Sequence, residues 1–306
     1  MCTRPREAGY NASGQITFSK KQYNKELAGF QIPCGQCVEC KLERARDWAV
    51  RCVHEADSHK ENSFITLTYS PENLPSDGKV SKKHFQDFMK RLREAFPNNE
   101  IGYLACGEYG SKTKRPHYHA CLFGIDFPDK KFVRTSDRGD KVYNSEELTK
   151  IWKHGHTEIG QVTFQSAGYV ARYVLKKQKD EPEYIPFQLS SKKRAIGKKW
   201  LQENWRDVFT HGELILKDGT RTKIPRYYEK WFKAQMPNHW SRYVTETKPK
   251  NTQRLQEKAE REHKIFLDER SKRGLNQFNY KSPLARKREI INERIKLLRR
   301  KLDDTE

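Results

Sequence analysis

Two stretches, residues 101–110 (IGYLACGEYG) and 114–125 (KRPHYHACLFGI), constrain this chain more than anything else in it. Both read as strands, and the basic connection between them is short enough to fit an antiparallel pair. Side chains alternate between faces of a strand, so His117 and His119 point one way and Tyr118 the other. A further strand is expected at Ser63–Tyr69 (SFITLTY), rich in β-branched and aromatic residues. From Cys40 onward, Leu42, Ala45, Trp48, Ala49, Cys52, Val53 and Ala56 recur at three and four, the spacing of a buried helical stripe. VSKKHFQDFMKRLREAF gives a second amphipathic helix opening at Ser81.

The rest is less sharply patterned. Residues 1 to about 33 are polar, and FPDKKFVRTSDRGDKVYNSEE (127–147) reads as loop. QVTF (161–164) reads as a strand, and Ser166 to about Lys177 as a helix. Beyond Asp180, LSSKKRAIGKKWL reads as a basic loop and short helix, and ELILKDGTRTKIPRYY as a hairpin turning at Asp218-Gly219. The chain then divides into an N-terminal cysteine segment with its helix (1–60), a core (61–180), a basic accessory region (181–245) and a charged helical tail (246–306).

The histidine pair carries the most specific chemistry. If the two strands pair, Glu108 ends beside His117 and His119. Two imidazole nitrogens and a carboxylate oxygen would hold one divalent ion and leave positions for phosphate oxygens and water, as a Lewis-acid catalyst requires. Mg²⁺ or Mn²⁺ suits such a set, imidazole favouring Mn²⁺. His154-Gly155-His156 repeats the pattern beside a glycine in an expected turn without a partnering strand, and reads as structural or DNA-contacting. In the helix expected from Ser166, Tyr169 and Tyr173 stand four apart and so share a face, which Lys176 extends. A phenol with a pKa near 10 is a weak nucleophile until a cation or metal stabilises its phenolate. Attack on a phosphodiester would leave DNA attached to the tyrosine and free a 3′ hydroxyl, so the strand can later be rejoined.

Strand FITLTY, Glu108, the His-x-His strand and the Tyr-x₃-Tyr helix with its trailing lysine follow one another in an order that resembles the HUH endonucleases, named for two histidines around a hydrophobic residue. PCGQCVEC running into ARDWAVRCVHEA, FITLTY, CGEYG, RPHYHACLFG and GYVARYVLKK together resemble the rolling-circle replication initiators of microviruses, particularly the gokushovirus branch, over roughly residues 33–230. The resemblance implies an α+β fold, a palm of antiparallel sheet flanked by helices with the histidines on a central strand, extended here by basic α/β and helical C-terminal parts. It implies His117, His119 and Glu108 as metal ligands. It also implies that Tyr169 and Tyr173 alternate as nucleophiles, one nicking the origin and holding the 5′ phosphate, the other attacking the regenerated origin. Lys176 would position or neutralise the reacting phosphate. Tyr118 stands where the family name calls for a hydrophobe.

Cys34, Cys37 and Cys40 are spaced at three. Structural zinc needs four ligands, and Cys52, His54 or His59 would complete the set. Three close cysteines also suit an iron–sulfur cluster, or are reduced thiols around a turn at Gly35. An odd total of seven cysteines fits a reducing compartment.

Lys and Arg number 61 against 40 Asp and Glu, a net charge of +21 spread from Lys20 to Lys301. Such an excess repels itself, and a polyanion relieves it with release of counterions. Nucleic acid is the expected partner, and under the resemblance it is single-stranded origin DNA. Arg115, Arg172, Lys177, Lys192, Lys193 and Arg194 are candidate phosphate contacts. Trp200, Trp205, Tyr227 and Tyr228 lie among basic residues as base-stacking platforms would. Apolar runs are too short to span a bilayer and the start lacks a secretory pattern, which points to the cytoplasm of a host cell, bacterial under the resemblance. Without a Walker A loop, unwinding falls to a host replicative helicase, with a host polymerase extending the 3′ end. Leu284, Ile291, Ile295, Leu298 and Leu302 form a heptad-like seam. The competing readings are a relaxase or transposase of the same chemistry, a zinc-containing DNA-binding protein without catalysis, and a metal-dependent hydrolase that uses water.

Overall fold

The computed structural model describes the chain except residues 1, 3, 14, 27, 28, 111, 112, 137, 138, 173–184, 276–288, 291, 292 and 294–306. The weakly patterned N-terminus forms a small sheet of β1 (Arg6–Tyr10), β2 (Ile16–Thr17) and β3 (Phe30–Ile32), in the order β2-β1-β3. Short strands of polar sequence bury too little to declare themselves by pattern: Ala8 is the one core hydrophobe among the described residues before Ala45. Next come α1 (Val38–Asp57), β4 (Asn62–Tyr69), α2 (Lys82–Ala95), β5 (Gly102–Tyr109) and β6 (Pro116–Phe123). All follow the expected elements closely, and Ser81 caps α2 by accepting from the His84 nitrogen.

The segment read as loop holds a hairpin, β7 (Lys131–Thr135) and β8 (Lys141–Asn144), followed by α3 (Glu146–Trp152). Every residue of β7 is exposed, so no buried face imprints alternation on its sequence. The strand expected at 161–164 lies earlier, as β9 (Gly155–Gly160), and Phe164 already opens α4 (Phe164–Arg172). His154 lies at the bend before β9, whereas Gly155 and His156 belong to the strand, which pairs with β4 along its length and supplies the partner the sequence did not suggest. Then follow β10 (Phe187–Ser190), α5 (Lys198–His211), the hairpin β11 (Leu214–Ile215) and β12 (Arg221–Thr222), α6 (Arg226–Gln235) and α7 (Pro237–Arg242). A π-helical turn at Tyr243–Thr247 leads into α8 (Lys248–Lys272). The heptad-like seam from Leu284 to Leu302 lies outside the described residues.

The main sheet has seven strands in the order β10-β5-β6-β4-β9-β8-β7, each pairing antiparallel, which gives the α+β architecture expected. Its two faces divide by strand parity. Ile65, Leu67, Tyr69, Tyr118, Ala120 and Leu122 pack with α2 (Phe85, Phe88, Met89, Leu92) and α3 (Leu148, Ile151, Trp152). Leu104, Cys106, Cys121 and Phe123 face Ala49 and Cys52 of α1 and Ala167 and Val170 of α4. Each buried Leu, Ile, Val, Phe or Met among these contributes about 1.5–3 kcal/mol. Tyr118 fits the apolar face because its hydroxyl donates to the Ser81 carbonyl at 2.8 Å and meets the Tyr69 hydroxyl at 2.6 Å.

Helix α1 is buried on a second side as well. Val50 packs with Leu201, Val208, Tyr228 and Phe232 from α5 and α6. His54 stacks on Trp200 with ring centroids 3.5 Å apart and shares a 2.9 Å hydrogen bond with the Tyr228 hydroxyl. Burial pushes its pKa down to about 3. β10 thus joins the sheet at its edge, and α5 and α6 join the core against α1. Among the described residues, no helix is long and apolar enough to cross a membrane.

Candidate active site

The site forms where β5, β6 and β4 lie side by side against α4. Register pairs Glu108 with His117, His117 with Thr68, and Thr68 with His156. One step along, it pairs Cys106 with His119, His119 with Thr66, and Thr66 with Glu158. Directly paired residues share a face, so the strands alone bring a carboxylate and two imidazoles together.

Glu108 Oε1 lies 3.4 Å from His117 Nε2 and 3.2 Å from His119 Nε2. The ligand atoms of the three residues all fall within 4.8 Å of one another. Glu108 is fully buried, whereas each imidazole keeps 13% of its side-chain surface, so approach is from the histidine side. His117 Nδ1 lies 3.1 Å from the Arg115 carbonyl, which can only accept, and so carries a hydrogen. His119 is fixed by Thr66 Oγ1 at 3.0 Å from its Nδ1 and by Phe64, whose ring stacks parallel to it. Both rings therefore turn Nε2 toward the carboxylate. Burial pushes the Glu108 pKa up, but hydrogen bonds from His117 and His119 outweigh it and hold the carboxyl well below the usual carboxylate range.

Helix α4 brings the phenol. Thr163 and Ser166 cap its start reciprocally, each hydroxyl oxygen accepting from the other's backbone N–H at 3.1 and 2.8 Å. Ala167, Gly168, Val170 and Ala171 are buried, which leaves Tyr169 half-buried over the sheet. Its hydroxyl donates to Glu108 Oε1 at 2.6 Å, and its ring stands edge-on to His119 with centroids 4.9 Å apart.

Four of the expected catalytic and metal residues, Glu108, His117, His119 and Tyr169, thus meet at one place. Tyr173, Lys176 and Lys177 lie outside the described residues. Thr66 and Phe64 were not singled out from the sequence, although FITLTY placed them on alternate positions of the neighbouring strand. His154 does not join the site: its ring stacks on His84 and stands edge-on to Trp152. His156 is exposed at the end of the row through Thr68.

The basic candidates scatter. Arg115 Nη2 donates to the Tyr69 carbonyl at the edge of the site, and Arg172 closes α4. Lys192 and Lys193 are exposed, while Arg194 pairs with Glu100. The expected stacking platforms are turned inward: Tyr228 is fully buried, and Trp200, Trp205 and Tyr227 pack against the same cluster. Their apolar rings gain more by covering α1, α5 and α6 than by facing water, which the intervening lysines and arginines had disguised.

The cysteine expectation is corrected in one ligand. Cys34, Cys37 and Cys40 do gather, but with Cys2. Cys52 is fully buried in the cluster of Cys106 and Cys121, because its helical position faces the sheet. His54 is held by Tyr228, and His59 lies 3.4 Å from Glu55.

Residues 62–178, which include the whole of this site, match a family model of replication-associated proteins of the ORF2 type. The chain is 38% identical to the replication-associated protein VP4 of Bdellovibrio phage phiMH2K, over 98% of this chain and 99% of that one. It is 31% identical to the replication-associated protein ORF2 of Spiroplasma virus 4, over 78% and 81%. With the replication-associated protein ORF4 of Chlamydia phage 1 it shares 32% identity over 70% of this chain and 56% of the other. No solved structure matches it. On sequence similarity that runs nearly from end to end, the chain belongs to the family of microvirus replication-associated proteins.

Proposed function

We propose that this protein initiates rolling-circle replication by nicking single-stranded origin DNA with Tyr169. The hydrogen bond from Tyr169 to Glu108, beside two converging imidazoles, carries this reading. The Tyr169 oxygen attacks the scissile phosphorus, the bond from phosphorus to the 3′ oxygen breaks, and a 5′-phosphotyrosyl link forms. The phenol proton passes to water as the phenolate forms, and the departing 3′ oxygen takes up a proton to become a 3′-hydroxyl primer. Reversal of the same step, with a 3′ hydroxyl as nucleophile, rejoins the strand. Tyr173 as second nucleophile and Lys176 as phosphate partner enter from the sequence spacing.

The donor set fits a divalent ion: two imidazole Nε2 atoms and one carboxylate oxygen, with the carboxylate 3.2–3.4 Å from each nitrogen. His117, His119 and Glu108 would hold Mg²⁺ or Mn²⁺, which would supply Lewis-acid stabilisation of charge on the phosphate oxygens. Thr66 and the Arg115 carbonyl hold the imidazoles in position for it. Arg115, Arg172, Lys192 and Lys193 are proposed to follow the DNA backbone, with host helicase and polymerase acting in the infected cell.

The test is incubation with a labelled single-stranded origin oligonucleotide and Mn²⁺, read by denaturing gel and peptide mass spectrometry. A covalent adduct on Tyr169, lost in Tyr169→Phe, supports the proposal, and an adduct on Tyr173 alone would move the nicking role to that residue. Cleavage without an adduct would assign a water-using hydrolase instead.

A further inference from the structure

We propose that Cys2, Cys34, Cys37 and Cys40 form a tetrathiolate zinc site that staples the N-terminal sheet to the start of α1. The four sulfurs lie within 4.8 Å of one another, and Cys2 Sγ stands 3.7 Å from Cys37 Sγ. Four sulfurs bonded tetrahedrally to zinc at about 2.3 Å stand about 3.8 Å apart. All seven cysteines of the chain are free thiols, so no disulfide uses these atoms.

The backbone builds the site from two directions. β1 and β3 pair antiparallel with Arg6 opposite Ile32, which returns Cys2 to the turn that begins at Cys34. In that turn Gly35 takes a φ of +73°. The Cys34 nitrogen donates to Cys2 Sγ, and the Cys37 nitrogen to Cys34 Sγ, each at 3.3 Å. Cys37 is the N-cap of the 20-residue helix α1 and Cys40 lies in its first turn, so the helix fixes the spacing of these two sulfurs. Arg44, one turn on, reaches the Gly35 turn and offsets part of the charge of the complex.

The staple also answers a packing deficit. Among the described residues before Ala45, Ala8 is the one core hydrophobe, too little to hold a three-stranded sheet in place. Binding displaces one proton from each thiol to solvent and leaves a complex in which zinc carries four sulfur bonds and no open position, so its role is structural.

The test is metal analysis of the full chain, purified in reductant with zinc supplied during expression. One tightly held zinc per chain is expected, retained in His117→Ala/His119→Ala, which excludes the histidine site as its source, and retained in Cys52→Ala. Cys2→Ser is expected to lose it. Cys2→His, which preserves a ligand, is expected to keep one metal, and its cobalt-substituted form to show a shifted tetrahedral absorption band with reduced sulfur-to-metal charge transfer. Full zinc occupancy in Cys2→Ser, iron in place of zinc, or no metal in wild type would each overturn the proposal. None of these readouts depends on nicking, so failure here and failure of the proposed nuclease activity are separable.

Discussion

The Tyr169 hydroxyl and the Glu108 carboxylate are joined by a 2.6 Å hydrogen bond across 61 residues of sequence, one group on a helix and the other on the strand beneath it. That bond couples the orientation of the phenol to a buried acid whose charge two imidazoles sustain. Replacement of Glu108 by Gln keeps the volume but removes the anionic acceptor. Single-turnover adduct formation on Tyr169 is expected to slow by about tenfold or more, because the phenol loses its anionic partner and the ligand set its carboxylate. A rate within threefold of wild type would remove Glu108 from the chemistry.

Thr66 holds His119 by a hydrogen bond to its Nδ1. Thr66→Val retains shape and deletes the hydrogen bond, so the loss is expected in Mn²⁺ affinity, by about 10–100-fold. Cleavage titrated against Mn²⁺ is expected to recover near-wild-type rates at saturation. A depressed rate that excess Mn²⁺ does not restore would show that Thr66 acts otherwise.

Two glycines beside the site are expected to respond oppositely to alanine. Gly155 opens β9 at φ +146°, and a Cβ there would collide with the Ser70 nitrogen and the Thr68 carbonyl. Both are backbone, so Gly155→Ala is expected to cost about 3 kcal/mol or more. In α4, a Cβ on Gly168 meets Arg172 Nη1 and Ala49 Cβ at 3.7 and 3.8 Å, ordinary contacts. Gly168→Ala is expected to stabilise by about 0.5–1 kcal/mol through helix propensity. Urea melts of the two variants would check both signs.

His54 makes stability depend on pH. Its folded pKa is depressed to about 3 from 6.5, so well above pH 6.5 it contributes no slope. Below that, the unfolded chain gains a proton that the folded chain refuses, and stability falls as the pH drops toward 3. Between pH 7.5 and 5.5 the loss from this group is expected to be about 1.4 kcal/mol. Urea unfolding at both values, wild type against His54→Gln, reads it as a difference of differences. Equal pH dependence in the two proteins would dismiss the assignment.

Legibility in the sequence followed burial. β4, β5 and β6 each carry a buried face, and their alternation was readable, as was the placement of Glu108 beside the histidines. The exposed β7–β8 hairpin and the N-terminal sheet bury little and left no period to read. Cys2 was beyond reach for another reason: its closeness to Cys34 depends on a strand pairing that local pattern does not specify. Trp200 and Tyr228 misled because basic neighbours on their helices mimic a binding surface, while the rings themselves cover His54. Thr66 was visible as a residue but acquires meaning only from register with His119.

That register has a further consequence. Because β6 carries Tyr118 between the histidines, a slip by one residue against β5 would set a phenol beside Glu108 and drive both imidazoles into the layer of α2 and α3. A nascent or misaligned chain would then hold neither the acid nor the ligands together. Acid and imidazoles therefore meet only when β5 and β6 close in the register seen here, which makes assembly of the sheet a precondition of the cluster.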